Sequence, residues 1–214
     1  MSKQNRWFDP ERSLKQNLQN WVYYNKLWIV VGIVLVWIAA SWIWNVVSAV
    51  QPDYQLAYVG ESALSDADLD AIESAFQAYG ADCNGDGKIV VEIHDYASSA
   101  DSDAAAEAGI ATEVTLMADL ESCDSYFFLL QYPARFQASY QALAMADGSC
   151  PADEDFSADG KVYCWGECPA LAEYGGDSLS TLSLGRRCFY GSKTVENLDA
   201  CQALWEALTQ GAQP

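Results

Sequence analysis

The longest run of apolar residues lies near the N-terminus and predicts a helix that crosses a lipid bilayer. No residue from Leu27 to Pro52 is charged, and a transmembrane helix needs only about 20 predominantly apolar residues. Aromatic side chains of the kind that settle at membrane–water interfaces stand at both ends of the run; they are Trp21, Tyr23, Tyr24 and Trp28 on one side and Trp42, Trp44 and Tyr54 on the other. We predict a transmembrane helix over residues 27–50, after an amphipathic segment, 1–26, whose helix begins at Asp9-Pro10-Glu11.

Two other interpretations of this run are weaker. Val47-Ser48-Ala49 resembles the cleavage site of a signal peptide, but the run exceeds the roughly 7–15 apolar residues of a signal h-region. A buried helix of a soluble core seldom runs this long without a polar face. An uncleaved anchor is therefore favoured.

Beyond Gln51, short apolar runs alternate with segments of helical periodicity. The patterns predict strands over 54–59, 89–94, 125–132 and 182–190, and helices over 66–79, 104–120 and 197–208 and from Pro133. Residues 146–181 read as irregular, with a short helical turn near 169–174. This order predicts an α/β fold: one domain, 51–214, with a mostly parallel or mixed sheet flanked by helices.

Two details of these helices are specific enough to test. Ser65 and Asp68 form a capping box with Asp in place of the usual Glu, and Gly80 is placed to end that helix in the left-handed conformation. In the next helix, Ile110, Val114 and Met117 recur at helical spacing and predict the side that faces the core.

Charge divides the chain in two and predicts its orientation. Residues 1–26 hold five basic and two acidic residues, a net of +3, whereas the remainder holds six basic and 28 acidic residues, a net of −22. Because basic flanks stay in the cytoplasm, we expect the N-terminus inside and residues 51–214 outside the cell membrane. The acidic surface also argues against binding to nucleic acid.

The stretch DCNGDGKIVVEIH, residues 82–94, raises the question of calcium. Asp82, Asn84 and Asp86 occupy the first three ligand positions of an EF-hand-type loop, but its twelfth position, which needs an acidic side chain, is Ile93. A tight turn is the favoured interpretation, because Asn-Gly and Asp-Gly pairs tolerate positive φ. Calcium at Asp82, Asn84 and Asp86 stays open as a weak extracellular site, and no other cofactor is expected.

Seven cysteines suit an oxidising compartment; they are Cys83, Cys123, Cys150, Cys164, Cys168, Cys188 and Cys201. Six of them would make three bridges, with pairings that the sequence does not assign; the alternative is that several are small buried apolar residues. Cys164 and Cys168, in CWGEC, are spaced one residue wider than a CxxC redox motif. A disulfide or two structural thiols is favoured there over redox chemistry or zinc, which needs four ligands.

Two resemblances to known proteins follow from these motifs. The order strand, helix, DCNGDGKIVVEI, helix and SCDSYFFLL, over residues 54–132, resembles the first lobe of bacterial extracellular solute-binding proteins. Nearly the whole chain resembles a group of uncharacterised bacterial single-pass membrane proteins, which share the N-terminal span, the NGDGK turn, ADL…FFLL, W-x-x-CP and LGRR…LWEALT. The second resemblance implies an anchored ectodomain and no particular activity.

Binding is therefore the favoured function. We expect a membrane-anchored extracytoplasmic protein whose partners are the bilayer and an envelope protein, a transporter component or a small ligand. No catalytic residues are predicted, and an enzyme is the less favoured class. Its form would be a thiol–disulfide protein using Cys164 and Cys168, and a calcium-stabilised adhesion module is a third hypothesis.

Overall fold

A computed structural model describes residues 13–48, 51–98, 103–152 and 155–214. The chain divides into two compact units, 1–50 and 51–214. In the first, helix α1 spans Leu14–Ser48 and contains a stretch, Trp21–Trp42, with a mean hydropathy of 1.8, none of which is buried. The first unit thus has an apolar helix of membrane-spanning length, as a membrane span and a signal anchor both require. The helix start predicted at Asp9-Pro10-Glu11 lies outside the described residues.

The second unit has the predicted α/β fold. Its strands are β1 (Tyr54–Val59), β2 (Val91–Asp95), β3 (Phe127–Leu130), β4 (Val162–Cys164) and β5 (Ser183–Arg186), in the order β2-β1-β3-β5-β4. Strand β1 pairs in parallel with both β2 and β3, whereas β5 pairs antiparallel with β3 and β4. The sheet is therefore mixed and parallel in its first half, as expected.

Among the described residues of this unit, five α-helices accompany the sheet: α2 (Asp66–Tyr79), α3 (Asp103–Ser122), α4 (Pro133–Tyr140), α5 (Asp177–Ser180) and α6 (Leu198–Thr209). Residues of α2 and α6 share one buried cluster, in which Phe127 lies against Phe76 and Trp205 with ring centroids 5.0 and 6.5 Å away. Residues of α3 and α4 share a second cluster with Phe128 and Leu130. All four residues of β3 are buried, because the strand is covered on both faces as its continuous apolar run predicts.

The capping box of α2 and the end of that helix at Gly80 are confirmed, but the left-handed conformation predicted for Gly80 is wrong. Ser65 Oγ accepts the amide of Asp68, and the Asp68 carboxylate accepts the amide of Ser65, both at 3.2 Å. Gly80 has φ −80° and ψ 172°, which is extended and not left-handed. Glycine is needed there for another reason, since a Cβ would lie 2.8 Å from the Tyr54 ring.

The predicted buried side of α3 is also wrong. Ile110, Val114 and Met117 are 65, 62 and 57 % exposed, whereas Leu116 and Asp119 are buried. Both sides of the helix have side chains at three- and four-residue spacing, so periodicity alone does not choose between them. The choice is made by Leu116, which enters the cluster around Phe128 and Leu130, and by the hydrogen bonds of Asp119.

Asp119 belongs to a buried polar network that fixes the C-terminal end of α3. Its carboxylate accepts hydrogen bonds from the Tyr96 hydroxyl at 3.0 Å, from the Ser125 hydroxyl at 2.6 Å and from Arg187 Nη2 at 3.2 Å. Arg187 is 4 % exposed and donates further to the carbonyls of Ser125 and Leu120. Arg187 follows β5, so the network ties the last strand to α3 across the sheet.

The segment 146–181 is more ordered than its sequence predicts. It contains the unpredicted strand β4, a 3-10 turn at Trp165–Glu167 and the short helix α5. Lys161, with no solvent exposure, makes an ion pair with Asp155 at 2.8 Å. Strand β4 has only three residues, and its pairing with β5, not a local pattern, defines it.

Candidate functional site

The order of the parallel strands places a crevice at the carboxyl end of β1 and β3. From β1 the chain passes through α2 to β2 on one side and then returns through α3 to β3 on the other side. Ligands of open α/β sheets bind where the strand order reverses in this way, outside the carboxyl ends of the strands. A cleft of about 730 Å³ lies at this point.

Five segments line the cleft. They are the end of β1 and the loop after it (Val59, Gly60, Glu61, Ser62), the residues after β2 (Tyr96, Ser98), one side of α3 (Gly109, Ile110, Thr112, Glu113, Leu116), the end of β3 (Leu130, Gln131, Tyr132) and α4 (Arg135, Phe136, Ser139, Tyr140). Apolar side chains from the core form part of this lining, and hydroxyl, amide and charged groups form the remainder.

Gly60 shapes the wall where the chain leaves β1. Its carbonyl accepts the amide of Ser98 at 2.9 Å. A Cβ at this position would overlap the Tyr58 hydroxyl and lie 3.0 Å from Gln131 Oε1. The Tyr58 hydroxyl donates to the carbonyl of Ser62 at 2.9 Å, so the close approach that only glycine permits also holds the loop after β1.

The ends of β1 and β3 are tied together by side chains as well as by backbone. The amide of Gln131 donates to the carbonyl of Val59 at 3.0 Å, and Gln131 Oε1 accepts the amide of Glu61 at 2.8 Å. The Tyr132 hydroxyl donates to Glu61 Oε2 at 3.1 Å, and this hydrogen bond raises the pKa of Tyr132. The contacts hold Glu61 at the mouth of the cleft.

Arg135 is the cationic group of the cleft lining. It lies in the first turn of α4, which starts at Pro133 without a side-chain cap. Within the described part of the chain its guanidinium makes no hydrogen bond or ion pair, although it is near enough to Tyr132 and Tyr140 to oppose the rise in their pKa values. The side chain is exposed and therefore available to an anionic group that enters the cleft.

Glu113 and Tyr140 form the opposite wall, between α3 and α4. The Tyr140 hydroxyl donates to Glu113 Oε1 at 3.5 Å. Burial first, and then the Glu113 charge, raise the pKa of Tyr140. The cleft thus combines one guanidinium, two carboxylates and several hydroxyl groups, a set suited to recognising a small polar molecule by hydrogen bonds and charge.

The predicted calcium residues lie at the other edge of the sheet, before β2. Both carboxylate oxygens of Asp82 accept amides of the loop, from Gly85 at 2.6 Å and Gly87 at 2.8 Å. Asn84 Oδ1 and Asp86 Oδ1 also accept loop amides, at 2.9 and 2.8 Å. These bonds are those of a tight turn, and no group of three or more His, Cys, Asp or Glu placed to hold a metal occurs among the described residues. Calcium binding here stays a prediction.

Asp53, which the sequence did not single out, holds this turn against the sheet. It is 2 % exposed, and its carboxylate accepts the amides of Cys83 at 2.7 Å and Val90 at 2.8 Å, one on each side of the loop. The sequence offers one signal for this role of Asp53, which is its position immediately before β1. The loop is therefore a structural element that closes the amino edge of the sheet.

One disulfide joins Cys150 and Cys188, 38 residues apart, and the other five cysteines are free thiols. Cys164 and Cys168 flank the 3-10 turn that follows β4, and neither lines the cleft. Cys164 Sγ donates to the carbonyl of Ser180 at 3.1 Å. Cys168 is fully buried, and burial raises its pKa to about 11, which opposes a nucleophilic role.

We expect Cys168 and Cys201 to resist alkylation in the folded chain. Burial raises their pKa values from 9.0 to about 11 and about 12, so at neutral pH each has at least about a hundredfold less thiolate than an exposed cysteine. Iodoacetamide followed by mass spectrometry should modify the half-buried Cys123 first and these two only in denaturant. Rapid modification of Cys168 would instead support thiol–disulfide chemistry.

The cleft residues were not singled out from the sequence. The signal available in the sequence was the predicted parallel pairing of the first strands. Parallel pairing places the segments that follow Val59 and Leu130 at the same end of the sheet. Arg135 lies in the helix that begins directly after the second of these segments. No family model, curated protein or solved structure matches the chain.

Proposed function

We propose that this chain is a membrane-anchored extracytoplasmic binding protein, and that its 51–214 domain holds a small polar ligand in the cleft at the carboxyl ends of β1 and β3. The observation that supports this proposal is the cleft itself, at the point where the strand order reverses. Its volume of about 730 Å³ falls within the roughly 300–1,000 Å³ of small-molecule sites.

The ligand class follows from the charges in the cleft. Arg135 offers a guanidinium that suits a carboxylate or a phosphate. In a part of the chain with a net charge of −22, residues 27–214, a guanidinium without an acidic partner is unusual. Glu61 and Glu113 repel a second anionic group and accept hydrogen bonds from hydroxyl or ammonium groups. We therefore expect a ligand with one anionic group and several hydrogen-bond donors.

The membrane placement is proposed from α1 and the charges on either side of it. Trp21–Trp42 is long and apolar enough to cross a bilayer, and the net charge of +3 on residues 1–26 favours a cytoplasmic N-terminus. The acidic domain is then outside, where Cys150 and Cys188 meet an oxidising environment that favours their bridge.

Replacing Arg135 with Ala is expected to weaken ligand binding by about 10- to 100-fold, because a hydrogen bond to a charged group contributes about 1.5–3 kcal/mol. The full chain in nanodiscs is screened by thermal shift against amino acids, hydroxy acids and sugar phosphates, and the Kd of any stabilising compound is then measured by calorimetry. Lys88→Ala is the matched control, since it removes the same charge from an exposed side chain outside the cleft. Equal Kd values for the two variants would contradict the assignment.

The membrane orientation is tested with an epitope tag at either end of the chain. We expect a tag after Pro214 to bind antibody on intact spheroplasts, and a tag before Met1 to bind only after permeabilisation. Both tagged chains should remain with the membranes during an alkaline wash. The reversed pattern of accessibility, or recovery of the intact chain in the aqueous fraction, would contradict the placement.

A further inference from the structure

Helix α3 leaves an apolar row uncovered on the side away from the sheet. Ile110, Val114 and Met117 are each more than half exposed and follow one another at spacings of four and three residues, so they share one side of the helix. The exposed Ala111 and Ala118 lie beside them. Single exposed apolar side chains are ordinary, but a continuous row of this kind marks an interaction site.

Acidic residues frame this row at both ends. Glu107 lies seven residues before Val114 and Glu121 seven residues after it, on the same side of the helix and about 21 Å apart at 1.5 Å per residue. Both side chains are exposed, and neither carboxylate makes an ion pair with another described residue; Lys193 donates to the backbone carbonyl of Glu121 and not to its side chain. We call residues 107–121 on this side the α3 outer face.

A second copy of the chain does not suit the α3 outer face. In an antiparallel contact between two such helices centred on Val114, Glu107 of each copy would lie opposite Glu121 of the other, because the two positions are equally far from the centre. Like charges placed opposite one another across an interface cost several kcal/mol. The bilayer surface is disfavoured for the same reason, since the charge of −22 on residues 27–214 is repelled by anionic headgroups.

We propose that the α3 outer face is a docking site for a basic amphipathic segment of another envelope protein. Such a segment places its own apolar row against Ile110, Val114 and Met117 and a Lys or Arg at each end against Glu107 and Glu121. The partner segment would contact α3 through apolar anchors at i, i+4 and i+7, the spacing at which amphipathic helices are recognised. Ile110 also borders the cleft, but Val114, Met117 and the two glutamates do not, so the α3 outer face is distinct from most of the ligand site.

The test is a photo-crosslinking experiment on the full chain in its native membrane. A photoreactive phenylalanine analogue replaces Val114, and mass spectrometry sequences the peptide that is attached on irradiation. We expect one partner segment with apolar residues at helical spacing and Lys or Arg at both ends. The yield should fall about tenfold when Glu107→Lys and Glu121→Lys are added, because repulsion then replaces attraction at both ends.

The same analogue in place of Phe156, an exposed position outside α3, is the matched control and should not give this adduct. Adducts with a second copy of the chain, with lipid, or with a segment lacking basic residues would overturn the proposal. So would the absence of any adduct at position 114, or a yield that the two Glu→Lys changes leave unaltered.

Discussion

Replacing Arg187 with Met is expected to lower the free energy of unfolding of the 51–214 domain by about 3–5 kcal/mol. The substitution keeps a long apolar stem but removes the guanidinium that lies 3.2 Å from the Asp119 carboxylate. Both partners are almost completely buried, with side chains 3 and 2 % exposed. Asp119 is then left as a buried charge without its counter-ion, and the carbonyls of Ser125 and Leu120 lose their donor.

Urea unfolding of the full chain in mild detergent, followed by circular dichroism, measures this loss. Lys193→Met is the matched control, because Lys193 is exposed and donates to a single backbone carbonyl; we expect a change within about 0.5 kcal/mol. The double variant Asp119→Leu with Arg187→Met should recover part of the loss, since no unpaired charge then remains buried. A loss below about 1 kcal/mol in Arg187→Met alone would contradict a structural role for the network.

Removing the disulfide is expected to destabilise the domain by about 2–4 kcal/mol. The bridge between Cys150 and Cys188 closes a loop of 38 residues that contains β4, α5 and β5. Without the bridge, the unfolded chain gains the freedom of this loop. The segment also has few regular elements of its own, so β4 and β5 should be the elements that lose most stability.

The double variant Cys150→Ser with Cys188→Ser is compared with Cys123→Ser. Cys123 is a half-buried free thiol, and we expect its replacement to change stability little.

A second measurement uses the redox state of the bridge to identify the cellular compartment of the domain. The chain extracted with rapid alkylation should contain the oxidised pair, because disulfides persist outside the cytoplasm. Two alkylated thiols at these positions in the native chain would contradict both the bridge and the extracytoplasmic location.

Features that depend on local pattern were predictable from the sequence. The capping box at Ser65 and Asp68 involves residues three positions apart, and the continuous apolar run over 127–130 reports burial on both faces of β3 without knowledge of its neighbours. The alternation of strands and helices was enough to predict an α/β domain with parallel pairing at its start. In each case the determining contacts lie within a few residues or follow from a general rule of packing.

Features that depend on distant contacts were not predictable. The buried side of α3 is set partly by Asp119, whose partner Arg187 is 68 residues away, so the apolar row at Ile110, Val114 and Met117 was assigned to the wrong side. Strand β4 exists because Tyr163 pairs with Leu184. The cleft arises from the order of strands in the sheet, and its cation, Arg135, is an ordinary surface arginine in the sequence.

Amide hydrogen exchange of the full chain in nanodiscs, with and without the best compound from the thermal-shift screen, tests the central claim most directly. The account predicts slower exchange in residues 59–62 and 130–140, which line the cleft, and unchanged exchange in the turn over 82–88 at the other edge of the sheet. Protection confined to that turn, or to any surface away from the cleft, would contradict the claim that the carboxyl edge of β1 and β3 is the ligand-binding site.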